Sequence, residues 1–247
     1  MFFTQLTDRR HRYFPQALEI YTEAFPADQR QPCSVIEERL NNKLYQWFVG
    51  VIQTAVYQPD NTENLNSVAN SHESAIAPAE ARGKIKSGLD SGQDKVVCIA
   101  LLYPLENTDF ILLDYLATDL AYRSQGIGSQ CMQYLEQILA ASQKTLIIEV
   151  ENPDSEEERE QKQRRFQFYR RAGAKLLKNV RYVLPPLAME GTAEMKLMLF
   201  PGNWDYLEGI LLKRLVQQIY REVYNRDETD AILNSFIHQI GDRIELI

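Results

Sequence analysis

Sulfur is scarce in this chain: the 247 residues include three cysteines, Cys33, Cys98 and Cys131, an odd number spread far apart. That count excludes a disulfide framework and offers no metal-ligand spacing, so reduced thiols, a cytoplasmic setting and no bound metal are expected. Long apolar runs are missing too; no window approaches the roughly 20 residues needed to cross a bilayer. The first residues, Met1-Phe2-Phe3-Thr4-Gln5, set no basic stretch ahead of an apolar one. A soluble, unsecreted protein with no membrane partner is the expectation. Histidine is rare, and His11, His72 and His238 sit in terminal or low-complexity segments with no Ser or Cys in evident reach, which argues against a hydrolytic triad. Positive charge is in deficit, with 27 Lys and Arg against 34 Asp and Glu, so the net charge of −7 speaks against coating nucleic acid.

What is present reads as a mixed α/β chain. Phe14, Leu18, Tyr21 and Phe25 recur at helical spacing until Pro26 stops them. Ser34 with Glu37 three residues on forms a capping box for a second helix over 34–40. Residues 44–57 are rich in aromatic and β-branched side chains and read as a strand. From 58 to 94 the large apolar residues disappear, which predicts a flexible insertion whose flanks are neighbouring antiparallel strands. Residues 95–103 and 110–118 form a hairpin, and 126–141 an amphipathic helix with Met132, Leu135, Ile138 and Leu139 inward. The near-continuous apolar run at 145–150 suits a parallel central strand reached by one right-handed crossover. Ser155 and Glu158 suggest a second capping box, opening a helix with acids early and bases late that Gly173 ends. Strands over 175–184 and 193–200 then complete the sheet, and 206–224 and 229–240 read as helices. Residues 1–200 are expected to form one unit, with 201–247 a helical extension packed on it.

The segment from Leu112 to Ser129 carries the chemistry. An apolar strand ending in Leu116, Ala117 and Thr118 runs into a polar turn, Arg123-Ser124-Gln125-Gly126-Ile127-Gly128-Ser129, that opens a helix. Backbone N–H groups in a first helical turn lack intrahelical acceptors and sit at the positive end of the macrodipole, so they suit a pyrophosphate. A dinucleotide fingerprint would want a third glycine where Cys131 stands, and no acidic residue ends a following strand in a repeated strand-helix-strand unit. A plain glycine-rich strand-to-helix turn is the other alternative.

Arg-x-x-Gly-x-Gly from Arg123 to Gly128 resembles the acyl-CoA-binding signature of the GNAT acetyltransferase superfamily. Phe168-Tyr169-Arg170-Arg171-Ala172-Gly173-Ala174 is similar to the family's helix ending after the fifth strand. The resemblance spans roughly residues 5–200 and implies a GNAT-type mixed sheet of six to seven strands flanked by helices. It also implies acetyl-CoA as co-substrate and an amine, small molecule or protein, as acceptor. Residues 123–129 would hold the pyrophosphate, and the backbone of Leu116, Ala117 and Thr118 the pantetheine arm. Tyr169 occupies the place of the acid that protonates the leaving thiolate. Glu149, in Ile148-Glu149-Val150, resembles the strand-end glutamate that serves as base, with Asp114 the second candidate. The bland readings are a strand-end acid paired with a helix arginine for Glu149, a solvated or salt-bridged acid on the open face for Asp114, a core aromatic for Tyr169 and a solvated face for Arg164, Arg165, Arg170 and Arg171. Many relatives carry an asparagine about seven residues before the tyrosine; here Lys162 stands there and Asn152 lies earlier. A monomer or homodimer is expected. A catalytically silent acyl-CoA-binding module, docking a partner through its C-terminal helices, is the alternative function.

Overall fold

The computed structural model describes residues 1–27, 30–53, 94–156, 158–187 and 192–247, so all but Asp94 of the insertion read at 58–94 lies outside the described residues. The sheet begins with an antiparallel series: β1 (Phe2–Leu6), β2 (Gln46–Ile52), β3 (Lys95–Pro104) and β4 (Phe110–Thr118) pair in that order. The chain then crosses through α3 (Ile127–Ser142) to β5 (Thr145–Glu151), which lies parallel to β4. Beyond β5 the sheet is antiparallel again, with β8 (Ala193–Phe200) carrying β6 (Lys175–Leu176) and β7 (Tyr182–Leu184) along its far side. The eight-stranded sheet is mixed, as the resemblance implies, and wider than the six to seven strands expected.

Helices cover both faces, and strand alternation distributes the core between them. Along β3, Val97, Ala100 and Leu102 pack with Cys131, Met132, Leu135 and Leu139 of α3 and with Tyr169 of α4 (Arg159–Arg171). Val96, Ile99, Leu101 and Tyr103 face the other way, toward α1 (Phe14–Ala24) and α2 (Cys33–Asn41). That second core also takes in Leu212, Leu215, Val216 and Ile219 of α5 (Gly209–Glu222) and Leu233 and Phe236 of α6 (Ala231–Phe236). Each such fully buried side chain contributes about 1.5–3 kcal/mol, so the C-terminal segment is held by the same core as the central strands. The three cysteines are free, Cys98 and Cys131 buried between β3 and α3. Among the described residues no helix is long and apolar enough to cross a membrane.

Several local expectations are corrected. The N-terminal residues form β1, because Phe2 to Leu6 find a partner in β2, a pairing with no local signature. The helix at 34–40 begins one residue earlier, with Pro32 rather than Ser34 at the cap position and no side-chain cap. The helix after Pro153 starts at Arg159, not at Ser155: Glu158 adopts φ 49°, so of the expected early acids only Glu160 lies in the first turn. The stretch 175–184 is broken into β6 and β7, with Asn179 at φ 59° between them. Residues 206–208 form β9 (Tyr206–Glu208), paired with β10 (Arg243–Glu245), before α5 begins. The helix read at 229–240 is only α6, capped by Asp230, followed by a 3-10 turn over Ile237–Gln239.

Candidate active site

The parallel partners β4 and β5 stay together only for four residue pairs, Phe110 with Thr145 through Leu113 with Ile148. Beyond them β4 remains zipped to β3 as far as Thr118, while β5 follows β8 as far as Glu151. The sheet therefore opens at Asp114 and Glu149, leaving the β5-facing backbone edge of residues 114–118 without a strand partner. A cleft of about 520 Å³ fills this opening and is lined from both faces, by Leu113, Leu116 and Tyr169 of one core and Phe25, Tyr115, Met195 and Tyr224 on the other side.

A bulge aims the acids. The register between β3 and β4 slips between Leu101 and Leu102, so Asp114 is the extra residue opposite that step. Asp114 and Tyr115 consequently both face the α1 and α5 side. Glu149 lies between Ile148 and Val150, both in the α3 and α4 core, and alternation turns it to the same side as Asp114.

Neither carboxylate is salt-bridged to Lys or Arg among the described residues; both are held by phenols. Tyr182 donates from β7 to Oε1 of Glu149, and Tyr224, just past α5, donates to Oε2. Tyr45 donates to Oδ2 of Asp114, and Arg39 donates to the Tyr45 oxygen at 3.0 Å while also reaching the Val223 carbonyl. Burial pushes the Glu149 carboxyl up to about 7; the two phenols pull it back down and the Asp114 charge adds to the rise. Burial likewise raises Asp114 to about 6, against the lowering effects of Tyr45 and Arg39. The salt-bridged reading of Asp114 and the arginine-paired reading of Glu149 are thus not what the geometry shows: the helix arginine in the cleft, Arg165, is bonded to Glu151 instead.

On the opposite face, Tyr169 is buried with its ring edge-on to Phe168 and lines the cleft, so it is a core aromatic and a cleft residue at once. Burial raises its phenol above the ordinary value, Arg165 opposing and Glu151 adding to the effect, so it carries its proton at neutral pH. Lys162 also reaches the cleft and donates to Ser155 Oγ at 3.1 Å, whereas Asn152 is turned toward Glu194 of β8 at 3.4 Å.

The turn is built as its sequence suggests. Ser124 and Gly126 both have positive φ, 62° and 76°, and no backbone amide from Ser124 through Ser129 has an acceptor among the described residues. Successive amides in such a turn make an anion-binding concavity. Arg123 donates from Nε to the Thr118 carbonyl at 3.3 Å, fastening the turn to the end of β4. The two glycines differ. A Cβ on Gly126 would meet nothing within 4 Å, so its backbone conformation is the requirement, whereas one on Gly128 would stand 3.3 Å from the Phe168 ring, so there the requirement is close packing of α3 on α4.

The structure therefore brings Asp114, Leu116, Glu149 and Tyr169 to one cleft, and sets Ala117, Thr118 and 123–129 along the strand and turn that lead from it. Arg39, Tyr45, Tyr182 and Tyr224 were not legible as site residues. Their only signal is the plentiful tyrosine, 13 residues, and nothing local separates these from the rest.

Residues 87–159 match the model of the acetyltransferase (GNAT) family. A GNAT-family chain from Bacteroides thetaiotaomicron superposes with a TM-score of 0.61 at 17% identity, covering 92% of this chain and 100% of its own. An aminoglycoside 6'-N-acetyltransferase complexed with coenzyme A aligns at 15% identity over 81% of this chain and 96% of its own, with a TM-score of 0.49. The ribosomal-protein-S18-alanine N-acetyltransferase from Escherichia coli gives 15% identity, 82% and 94% coverage and a TM-score of 0.47. Those last two likenesses are too loose to bear on this chain's chemistry. No curated protein sequence matches the chain. The resemblance to the GNAT superfamily stands: the signature segment matches its family model and the fold is that of a GNAT protein.

Proposed function

We propose that this protein is an acyl-CoA-dependent N-acetyltransferase that moves an acetyl group from acetyl-CoA to a primary amine by direct attack in a ternary complex. The observation that carries this reading is the opening of the sheet beyond Leu113 and Ile148, next to a solvent-facing turn whose amides have no acceptor among the described residues. The opening joins the two faces, so a thioester lying along one can meet an amine arriving from the other.

The residues fit acetyl-CoA. The amides of 124–129 offer donors to a pyrophosphate, and the free edge at Leu116, Ala117 and Thr118 offers strand-like hydrogen bonds to the amides of a pantetheine arm. On the other face Glu149 takes a proton from the incoming ammonium. The nitrogen then bonds to the acyl carbon, the carbon–sulfur bond breaks as Tyr169 gives its proton to the departing sulfur, and the second proton of the former ammonium leaves the amide nitrogen by way of water, which returns a proton to Tyr169. Asp114 holds the ammonium beside Glu149, and neither acid having a salt-bridge partner among the described residues favours a cationic acceptor. Residues 1–200 act as the catalytic unit, and 201–247 as an extension packed on it.

The test is release of free thiol from acetyl-CoA in the presence of a panel of primary amines. Amine-dependent release is expected. Binding of CoA with no release by any amine, including protein N-termini and lysine peptides, would favour the silent module over the enzyme.

A further inference from the structure

We propose that Tyr224, contributed by the C-terminal segment, is a positioning residue for Glu149 that fixes the orientation of its carboxylate, so that residues 201–247 complete the active site. The inference rests on the reading of Glu149 as base, and it goes beyond that reading by giving the extension a chemical task.

Two adjacent residues at the end of α5 reach both cleft acids. Tyr224 donates its hydroxyl to Oε2 of Glu149 directly. The Val223 carbonyl accepts from Arg39, whose other nitrogen donates to Tyr45, which in turn donates to Asp114. The helix end that supplies them is anchored, because Leu212, Leu215, Val216, Ile219 and Tyr220 are buried in the core beneath the sheet. Tyr220 stacks edge-on to Tyr224 and to Tyr182, so the two phenols that grip Glu149 are braced by one ring.

A buried carboxylate that accepts two hydroxyl donors is oriented with both oxygens engaged, and each donor favours its ionised form. The titratable and charged groups facing Glu149 are Tyr182 from β7, Tyr224 from the end of α5 and Asp114 from β4. Tyr169, Lys162 and Arg165 of α4 and Glu151 of β5 stand along the same cleft wall. The Asp114 charge and burial both disfavour ionisation, so the phenols are what hold the acid within reach of neutral pH.

The experiment compares Tyr224→Phe with Tyr220→Phe, which removes a hydroxyl from the same helix that bonds only the Val183 carbonyl. Two readouts are taken on the full chain: direct titration of the Glu149 side-chain carboxyl by carbon NMR, and the pH dependence of kcat/KM with a reactive amine. Removing a donor to the carboxylate disfavours its charged form, so in Tyr224→Phe the Glu149 titration is expected to move upward by about one pH unit, and the acidic limb of kcat/KM with it, a roughly tenfold loss on the acid side. Tyr220→Phe should leave both where they are. If the Glu149 titration moves and the rate limb does not, Tyr224 is confirmed as the residue holding Glu149, and it is the assignment of Glu149 as base that fails. An unmoved Glu149 titration in a folded Tyr224→Phe protein that binds acetyl-CoA would overturn the inference, as would an equal shift in Tyr220→Phe.

Discussion

On the α3 and α4 face the candidate site is mostly backbone, with amides at 124–129 that have no acceptor and a strand edge at 114–118 that has no neighbouring strand among the described residues, and Tyr169 is the phenol that face adds. On the α1 and α5 face it is made of side chains, two acids held by phenols from distant elements, one on Asp114 and two on Glu149. Under the proposed function, the difference follows from what each half would recognise. A pyrophosphate and a pantetheine arm present the same groups in every acyl-CoA, and amides fixed by secondary structure meet them without commitment of side chains. An acceptor amine differs from protein to protein and must lose a proton, so its half needs titratable groups whose charge is set by burial and by hydrogen bonds.

Breaking the side-chain half should have the larger effect on turnover. Glu149→Gln keeps the shape but removes the base, and its amide can accept from only one of the two phenols that donate to the carboxylate, Tyr182 and Tyr224. A fall in kcat/KM of about 10³-fold is expected, together with loss of the limb through which the rate rises as Glu149 deprotonates near pH 7. A pH–rate profile on the variant checks both. Tyr169→Phe, which removes the phenol that the α3 and α4 face adds to the cleft, should come next, lowering kcat by about 10²-fold with acetyl-CoA affinity unchanged. Steady-state kinetics beside calorimetric binding separates this from a packing defect, since a merely structural Tyr169 would leave kcat intact.

Breaking the backbone half should instead act on binding. Gly126→Val places a β-branched residue at φ 76°, which costs on the order of 1–2 kcal/mol or distorts the turn. Acetyl-CoA should bind about tenfold more weakly, while the Glu149 titration stays where it was. Unchanged affinity in a folded Gly126→Val protein would remove the turn from the site.

The smallest effect expected is on stability. Asp114 titrates near 6 in the folded protein, above its ordinary value of 3.8, so the folded state favours the protonated acid. That contribution is present below about pH 4 and is lost as pH rises through 6. Asp114→Asn, which mimics the protonated form, should therefore raise Tm by a few degrees at pH 8 and change it little at pH 4. Calorimetric melting at the two pH values checks the sign.

The two halves also differed in how far they could be read from the sequence. The turn is contiguous, its glycines mark positive φ, and the flanking apolar strand and amphipathic helix have clear periods, so residues 123–129 could be read directly. Glu149 and Asp114 stood out as acids in apolar strands. Their partners did not, because Tyr182 and Tyr224 lie 33 and 75 residues from Glu149, and Tyr45 lies 69 from Asp114. Such pairings depend on how β7 and the end of α5 fold back over the open sheet, and no local pattern encodes that. The capping boxes at Ser34 and Ser155 misled for the converse reason: the motif is local, but Pro32 and the left-handed Glu158 set where those helices begin.

The opening between β4 and β5 and the turn beside it are proposed to receive acetyl-CoA. Titration of isotopically labelled protein with acetyl-CoA, followed by backbone amide chemical shifts, tests it most directly. The largest shifts are predicted at Ser124 to Ser129 and along Leu116 to Thr118, with smaller ones at Tyr169. Saturable binding with those amides unmoved and shifts clustered elsewhere, or no binding at all, would contradict it.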